Sequence, residues 1–135
     1  MLTKAEMDKM DEEWEERQAR KDKATEQWKI TSMKAELQHE DEIKRALKLA
    51  KSYMNGGNRD AAVRQLESVQ NFCSWTSELG GEVLLELAMC LETVERVDDA
   101  RRIYGKLAAT SWSPNIKRNA LQLISGLDIT KQIRN

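Results

Sequence analysis

The fold is decided by residues 46–69, ALKLAKSYMNGGNRDAAVRQLESV, in which apolar residues recur at helical spacing on both sides of a glycine pair. Before the pair, apolar residues three and four positions apart are typical of one face of an amphipathic helix. Residues 55–58, Asn-Gly-Gly-Asn, predict the end of that helix because Gly and Asn readily adopt the left-handed conformation. Asn58 can cap a second helix, so the stretch predicts a helical hairpin.

The same pattern returns 38 residues later, in residues 84–107, LLELAMCLETVERVDDARRIYGKL. Small residues occupy equivalent places in the two copies, which predicts helices that cross closely there. The aligned positions are Ala46, Leu49, Ala50, Tyr53, Ala62, Leu66 and Val69 in the first copy and Leu84, Leu87, Ala88, Leu91, Ala100, Tyr104 and Leu107 in the second. The chain is therefore expected to contain two similar hairpins.

The rest of the chain also predicts helices, and no residues alternate as in a strand. Thr3 and Glu6 fit a capping box, and no Gly or Pro follows until Gly56, so a long charged helix should run to the mid-thirties and continue past residues 38–40 or break there. Gly80 and Gly81 are interpreted as turn glycines in a loop at 74–81. Ser113-Pro114 predicts the start of a closing helix.

These features predict an all-α fold of two hairpins and a closing C-terminal helix, preceded by the long charged helix. We place an N-terminal extension at residues 1–40 and a repeat domain at residues 41–135.

The placement of small and large residues resembles the tetratricopeptide repeat (TPR). Gly57 lies at the inter-helix turn, where that family often has glycine, and Pro114 lies near the proline that follows a repeat. The family's early tryptophan is replaced by Ala46 and Leu84, and the second turn glycine by Glu95. The resemblance implies TPR-like hairpins.

Residues 98–128, DDARRIYGKLAATSWSPNIKRNALQLISGLD, are similar to the C-terminal part of small TPR-like proteins of cyanobacteria and plastids. That resemblance implies a plastid protein that works on photosynthetic complexes.

Residues that could take part in catalysis or bind a metal are few and scattered. His39 is the only histidine, and we interpret it as a solvated helix residue, since a general base or metal ligand needs partners that the sequence does not offer. Cys73 and Cys90 lie in apolar surroundings without metal-ligand spacing, which predicts reduced core thiols in an intracellular, reducing compartment. We therefore expect no catalytic residue, no cofactor and no metal.

Charge and hydropathy restrict the partners. The net charge of −1 favours neither nucleic acid nor an acidic membrane surface, and no apolar run approaches the ~20 residues that span a bilayer. The charge is unevenly divided: residues 1–42 hold thirteen acids and eight bases, a net −5, and the remainder has a net +4. The N-terminus lacks the apolar segment of a signal peptide.

The charged N-terminal stretch carries two tryptophans, which are the strongest candidates for partner binding. Trp14 and Trp28 are fourteen residues apart, so on a helix they point within about 40° of each other and lie ~21 Å apart. Met7 and Met10 extend the same side. The helix can fold back on its own repeats, dock on another protein or lie at a membrane interface; we favour docking, with each ring as an anchor.

A modest basic end near the C-terminus includes Lys117 and Arg118, which form either a solvated face or a contact with an acidic partner. The sequence thus predicts a non-catalytic protein–protein interaction module: a scaffold, assembly factor or peripheral subunit of a larger complex. The resemblance suggests a photosystem on the stromal side of the thylakoid, with any membrane association made through partners. The alternative is an RNA- or ribosome-associated helical-repeat factor, although RNA binding usually adds aromatic residues among the bases.

Overall fold

A computed structural model describes residues 2–134, excluding the side chains at 22, 24–26, 28, 29 and 129–134. Within that range the chain is all-α, as predicted, with six α-helices, one short 3-10 helix and no strand. The helices are α1 (Lys4–Gln38), α2 (Glu40–Asn55), α3 (Arg59–Val69), the 3-10 helix (Gln70–Phe72), α4 (Glu78–Thr93), α5 (Val97–Thr110) and α6 (Pro114–Arg134).

The chain divides into two compact units, one that ends at Thr31 and one that begins at Ser32. In the first unit, α1 begins with the predicted capping box: the Glu6 amide donates to the Thr3 hydroxyl at 3.2 Å, and the Thr3 amide donates to the Glu6 carboxylate at 3.4 Å. These two bonds satisfy amides that the first helical turn leaves unpaired.

In the second unit, α2 and α3 form the first predicted hairpin. Gly57 in the turn has a φ of 80°, and the Asn58 side chain caps α3 by accepting from the Ala61 amide at 3.3 Å. Ala50 and Ala62 are completely buried, as expected where helices cross closely. Leu49 departs from the predicted apolar face because its side chain is exposed.

The second hairpin, α4 and α5, repeats this geometry. Glu95, which replaces the turn glycine, is left-handed with a φ of 66°. Ala88 and Ala100 are completely buried, like their counterparts in the first hairpin. The turn is therefore built in the same way, although a non-glycine residue in this conformation carries a steric cost.

The start of α4 differs from the predicted loop at 74–81. Ser77 caps the helix by accepting from the Gly80 amide at 3.0 Å, so Gly80 and Gly81 lie in the first helical turn and are not turn glycines. Both are buried. A Cβ on Gly80 would collide with the carbonyl oxygen of Ser74, and one on Gly81 would lie 3.1 Å from the Ile116 side chain. The glycines permit close packing, which a single sequence does not distinguish from a turn.

The first long helix ends at Gln38, and α2 begins at Glu40, so the chain breaks at His39. The His39 ring stacks on Phe72, with centroids 3.8 Å apart and an angle of 14° between the planes. The interpretation of His39 as a simple solvated helix residue was therefore wrong, because the ring contacts the 3-10 helix after α3.

Glu36, in the last turn of α1, is buried and binds the segment that precedes α4. Its Oε1 accepts from the Ser74 amide at 3.0 Å and from the Ser77 hydroxyl at 2.7 Å. Because Ser77 also caps α4, one carboxylate fixes both the segment and the start of the most buried helix.

The closing helix begins as predicted, with Pro114 at its first position and the Ile116 amide donating to the Ser113 hydroxyl at 3.4 Å. Ile116 and Ala120 are buried, and an ion pair joins Arg101 of α5 to Asp128. The core of the second unit consists of α2–α5 residues together with this face of α6.

Candidate protein interface

The predicted partner-binding residues of α1 form an exposed apolar stripe. Met7, Met10 and Trp14 follow the i, i+3, i+7 spacing of one helical face, and their side chains are 48%, 55% and 63% exposed. We call these three residues the α1 stripe. Apolar side chains at this spacing are typical anchors of a helix that docks in a groove of another protein.

Acidic residues flank the α1 stripe. Asp11 and Glu15, four residues apart, lie one helical turn from each other on the same side of Trp14. Both are exposed. The stripe therefore offers an aromatic ring beside two carboxylates about 6 Å apart along the axis.

Trp28 lies within α1, but its side chain is outside the described part of the structure, so its predicted place on the same side of α1 as Trp14 stays a prediction. Lys117 and Arg118 both lie on α6 and are exposed. Their neighbours Ile116 and Ala120 face the core, which leaves the two basic side chains on the outer surface. The predicted contact of Lys117 and Arg118 with a partner also stays a prediction.

A groove that the sequence did not reveal lies in the second unit, among α3, α4 and α5. Its volume is about 290 Å³. The deepest lining residues are apolar and buried, and the outer ones are charged, amide or aromatic. We call it the α3–α5 groove; the lining residues are Glu67, Gln70, Trp75, Leu87, Leu91, Arg96, Asp99, Arg102, Ile103 and Lys106.

Ion pairs order the charged side of this groove. Arg96, at the start of α5, contacts Asp99 at 3.0 Å and Glu67 of α3 at 3.5 Å, so it links the two hairpins. The second oxygen of Asp99 contacts Arg102 at 3.4 Å. Asp99 thus forms ion pairs with two guanidinium groups.

The remaining cations of the groove are less neutralised. The Arg102 side chain is 80% exposed, and the Lys106 ammonium lies 4.3 Å from the centre of the Trp75 ring, a cation–π contact. Among the described residues, Lys106 forms no salt bridge with a carboxylate. Arg102 and Lys106 are one turn apart on α5, so this side of the groove presents two cations to an approaching anion.

The sequence contained only part of the signal for this groove. Arg102 and Lys106 have the spacing of neighbours on one helical face, which could have drawn attention to α5. Trp75, however, comes from the segment before α4, and its position over α5 depends on how the hairpins pack.

The buried thiols are poorly suited to nucleophilic chemistry. Burial raises the pKa of Cys73 to about 12, with a further contribution from the Glu36 carboxylate, and burial raises the pKa of Cys90 to about 11, with help from Glu86. Since the thiolate is the reactive form, both groups are unreactive at neutral pH. In the described part of the chain, no three His, Cys, Asp or Glu residues are grouped as a metal site.

Comparison with known families agrees with this architecture. The family model of the tetratricopeptide repeat matches residues 46–72, which include the end of α2, the Gly57 turn and α3. Together with the all-helical structure, this match defines a TPR-like helical protein with a closing C-terminal helix. No curated protein and no solved structure gave a significant match.

The family match bears on the role of the chain. A TPR is an interaction module and is typically not catalytic, so the chain has the architecture of a protein that binds other proteins. The match does not extend to residues 98–128, whose likeness to plastid proteins stays a prediction.

Over the described residues, no helix is both long and apolar enough to cross a membrane.

Proposed function

We propose that this protein is a non-catalytic scaffold, assembly factor or peripheral subunit of a larger complex, with residues 1–40 as a binding extension and residues 41–135 as the repeat domain. The observation that carries the proposal is the α1 stripe, because its three apolar side chains lie exposed on one face of a highly charged helix and expose apolar area to solvent. The partner is a protein with a hydrophobic groove, and Trp14 and Trp28 are the anchors.

The energetics favour anchors of this kind. A tryptophan buries a large area at a small entropic cost, so a few rings can hold a polar helix on its partner. Truncation of such an anchor typically costs ~2 kcal/mol or more, which is about thirty-fold in affinity.

A photosystem on the stromal side of the thylakoid is our specific hypothesis for the complex, and peripheral membrane contact would then be made through the partner. This hypothesis rests on the likeness of residues 98–128 alone. It places the protein in the plastid stroma or on the thylakoid surface; the cytoplasm is the alternative location.

The test is affinity capture of the full chain, followed by mass spectrometry. Trp14→Ala combined with Trp28→Ala should remove the captured partner and leave the melting temperature nearly unchanged. Trp112→Ala is the matched control, because it removes an exposed ring of the same size from a different surface. Capture that survives the double substitution would contradict the proposed role of α1.

The same experiment addresses RNA binding through the basic end, with Lys117 and Arg118 as the candidate contacts. Ribonuclease-sensitive capture that weakens steeply with salt and depends on those two residues would favour a ribosome- or RNA-associated factor. Capture of protein at high salt after ribonuclease treatment supports the interaction module.

A further inference from the structure

We propose that the α3–α5 groove binds the α1 stripe of a second copy of this chain, so that the protein self-associates head to tail. This inference rests on the proposed anchoring role of Trp14 and names a partner surface for it. The groove and the stripe both carry apolar surface, and their charged residues are opposite in sign.

The apolar part of the groove suits an aromatic anchor. Leu87, Leu91 and Ile103 form its deep surface, and Trp75 stands beside them with a half-buried ring. A volume of about 290 Å³ is large enough to receive an aromatic anchor side chain. Trp14, at 63% exposure, is the most exposed of the three tryptophan side chains that the structure describes.

The charges match in sign and in spacing. Arg102 and Lys106 are four residues apart on α5, and Asp11 and Glu15 are four residues apart on α1. Each pair therefore spans about 6 Å along its helix, so two ion pairs can form together while the ring of Trp14 enters the groove.

The charge distribution along the chain supports the choice of a second copy. Residues 8–16 carry six acids and one base, whereas the repeat domain has an excess of bases. Opposite charges of this kind increase the rate of encounter between copies and suppress like-to-like contacts. The contact joins two different surfaces, so two copies that exchange it reciprocally form a two-fold dimer, and copies that each contact a different neighbour form rings or filaments.

The test is sedimentation velocity of the purified full chain from low to high micromolar concentration, at low and high salt. The average mass should rise with concentration and fall with added salt. The variant Arg102→Glu with Lys106→Glu should raise the dissociation constant on the order of tenfold or more, since two attractive pairs become repulsive. Lys48→Glu with Lys51→Glu is the matched control, because it reverses two exposed bases on α2 and should leave self-association unchanged.

A charge exchange provides the decisive measurement. The variant Asp11→Lys with Glu15→Lys should likewise associate more weakly when it is alone, and a mixture of this variant with the groove variant should regain association. Circular dichroism of each variant verifies that it is folded. Trp14→Ala should weaken association without changing its salt dependence.

The inference is overturned if the wild-type chain stays monomeric at every concentration. It is also overturned if the groove variant associates like wild type, or if Trp14→Ala leaves the dissociation constant unchanged. None of these affects the affinity-capture test. If capture of another protein still requires Trp14 while the purified chain stays monomeric, the proposed function stands and self-association is refuted.

Discussion

The Oε1 atom of Glu36 accepts hydrogen bonds from the Ser77 hydroxyl at 2.7 Å and from the Ser74 amide at 3.0 Å, across 41 and 38 residues of sequence. This buried carboxylate joins the end of α1 to the cap of α4. Glu36→Ala should therefore destabilise the protein by about 2–3 kcal/mol, because it removes a charged acceptor and leaves a buried amide without a partner. Urea unfolding measures the loss.

Two further variants make the Glu36 test specific. Glu36→Gln retains one carbonyl acceptor and should cost less than the alanine variant. Glu12→Ala removes an exposed carboxylate from the same helix and should change the unfolding midpoint little. Equal stabilities for the Glu36 and Glu12 alanine variants would show that the contact with Ser77 contributes nothing.

Ala100, which the alignment of the two hairpins places at the crossing of α4 and α5, is completely buried. Ala100→Leu should overpack this crossing and cost about 1–3 kcal/mol. Ala109→Leu is the matched control, because Ala109 lies on the same helix and is exposed. Thermal unfolding of both variants checks the prediction, and an unchanged midpoint for Ala100→Leu would refute the alignment of the two hairpins.

Gly57 and Glu95 occupy equivalent turns with φ angles of 80° and 66°, yet substitutions there should have opposite effects. Gly57→Ala should destabilise by about 1 kcal/mol, since a Cβ is disfavoured in the left-handed region. Glu95→Gly should be neutral or stabilise by up to about 1 kcal/mol, because relief of that cost is partly offset by the chain entropy of glycine. Chemical denaturation of both variants gives the two signs.

Gly105→Ala tests whether the backbone conformation, rather than the added methyl group, causes the effect at Gly57. Gly105 is an exposed helical residue of α5 with open space at its Cβ position, so alanine should stabilise it slightly. If Gly57→Ala also stabilises the protein, the left-handed conformation at position 57 does not disfavour a residue with a Cβ, and the prediction is wrong.

The thiols of Cys73 and Cys90 predict a loss of stability in alkali. Their folded-state pKa values, about 12 and about 11, lie above the ordinary value of 9.0. As the pH rises, the thiols of the unfolded chain therefore release their protons before those of the folded chain. The contribution of the two thiols to the free energy of unfolding is complete below about pH 9 and is lost toward pH 11–12. A Cys73→Ala, Cys90→Ala variant should show a shallower decline of unfolding free energy over this range. A slope identical to wild type would contradict the assignment.

The features that the sequence predicted well are local. The capping box of Thr3 and Glu6, the Asn58 cap and the Ser113-Pro114 helix start depend on residues three or four positions apart. The buried alanines of the hairpins followed from helical spacing combined with the 38-residue repeat.

The features that the sequence did not predict depend on distant partners. Glu36 gave no signal because a carboxylate in a charged helix is ordinarily solvated, and its partners lie near residue 75. Gly80 was misread as a turn residue, since only the position of the Ser74 carbonyl shows why a side chain is excluded there. The α3–α5 groove was missed for the same reason, as Trp75 meets Lys106 only after the hairpins pack.

Two hydrogen bonds, one repeat length apart in sequence, join the segments that precede α4 and α6 to earlier parts of the chain. The Ser74 amide donates to Glu36, and 38 residues later the Trp112 amide donates to the Thr76 carbonyl oxygen at 3.0 Å. The first bond joins the end of α1 to the segment before α4, and the second joins that segment to the one before α6, so we expect the two junctions to open in separate steps. Native-state hydrogen exchange at these two amides would then give separate opening free energies, and their difference would measure the cooperativity of the array.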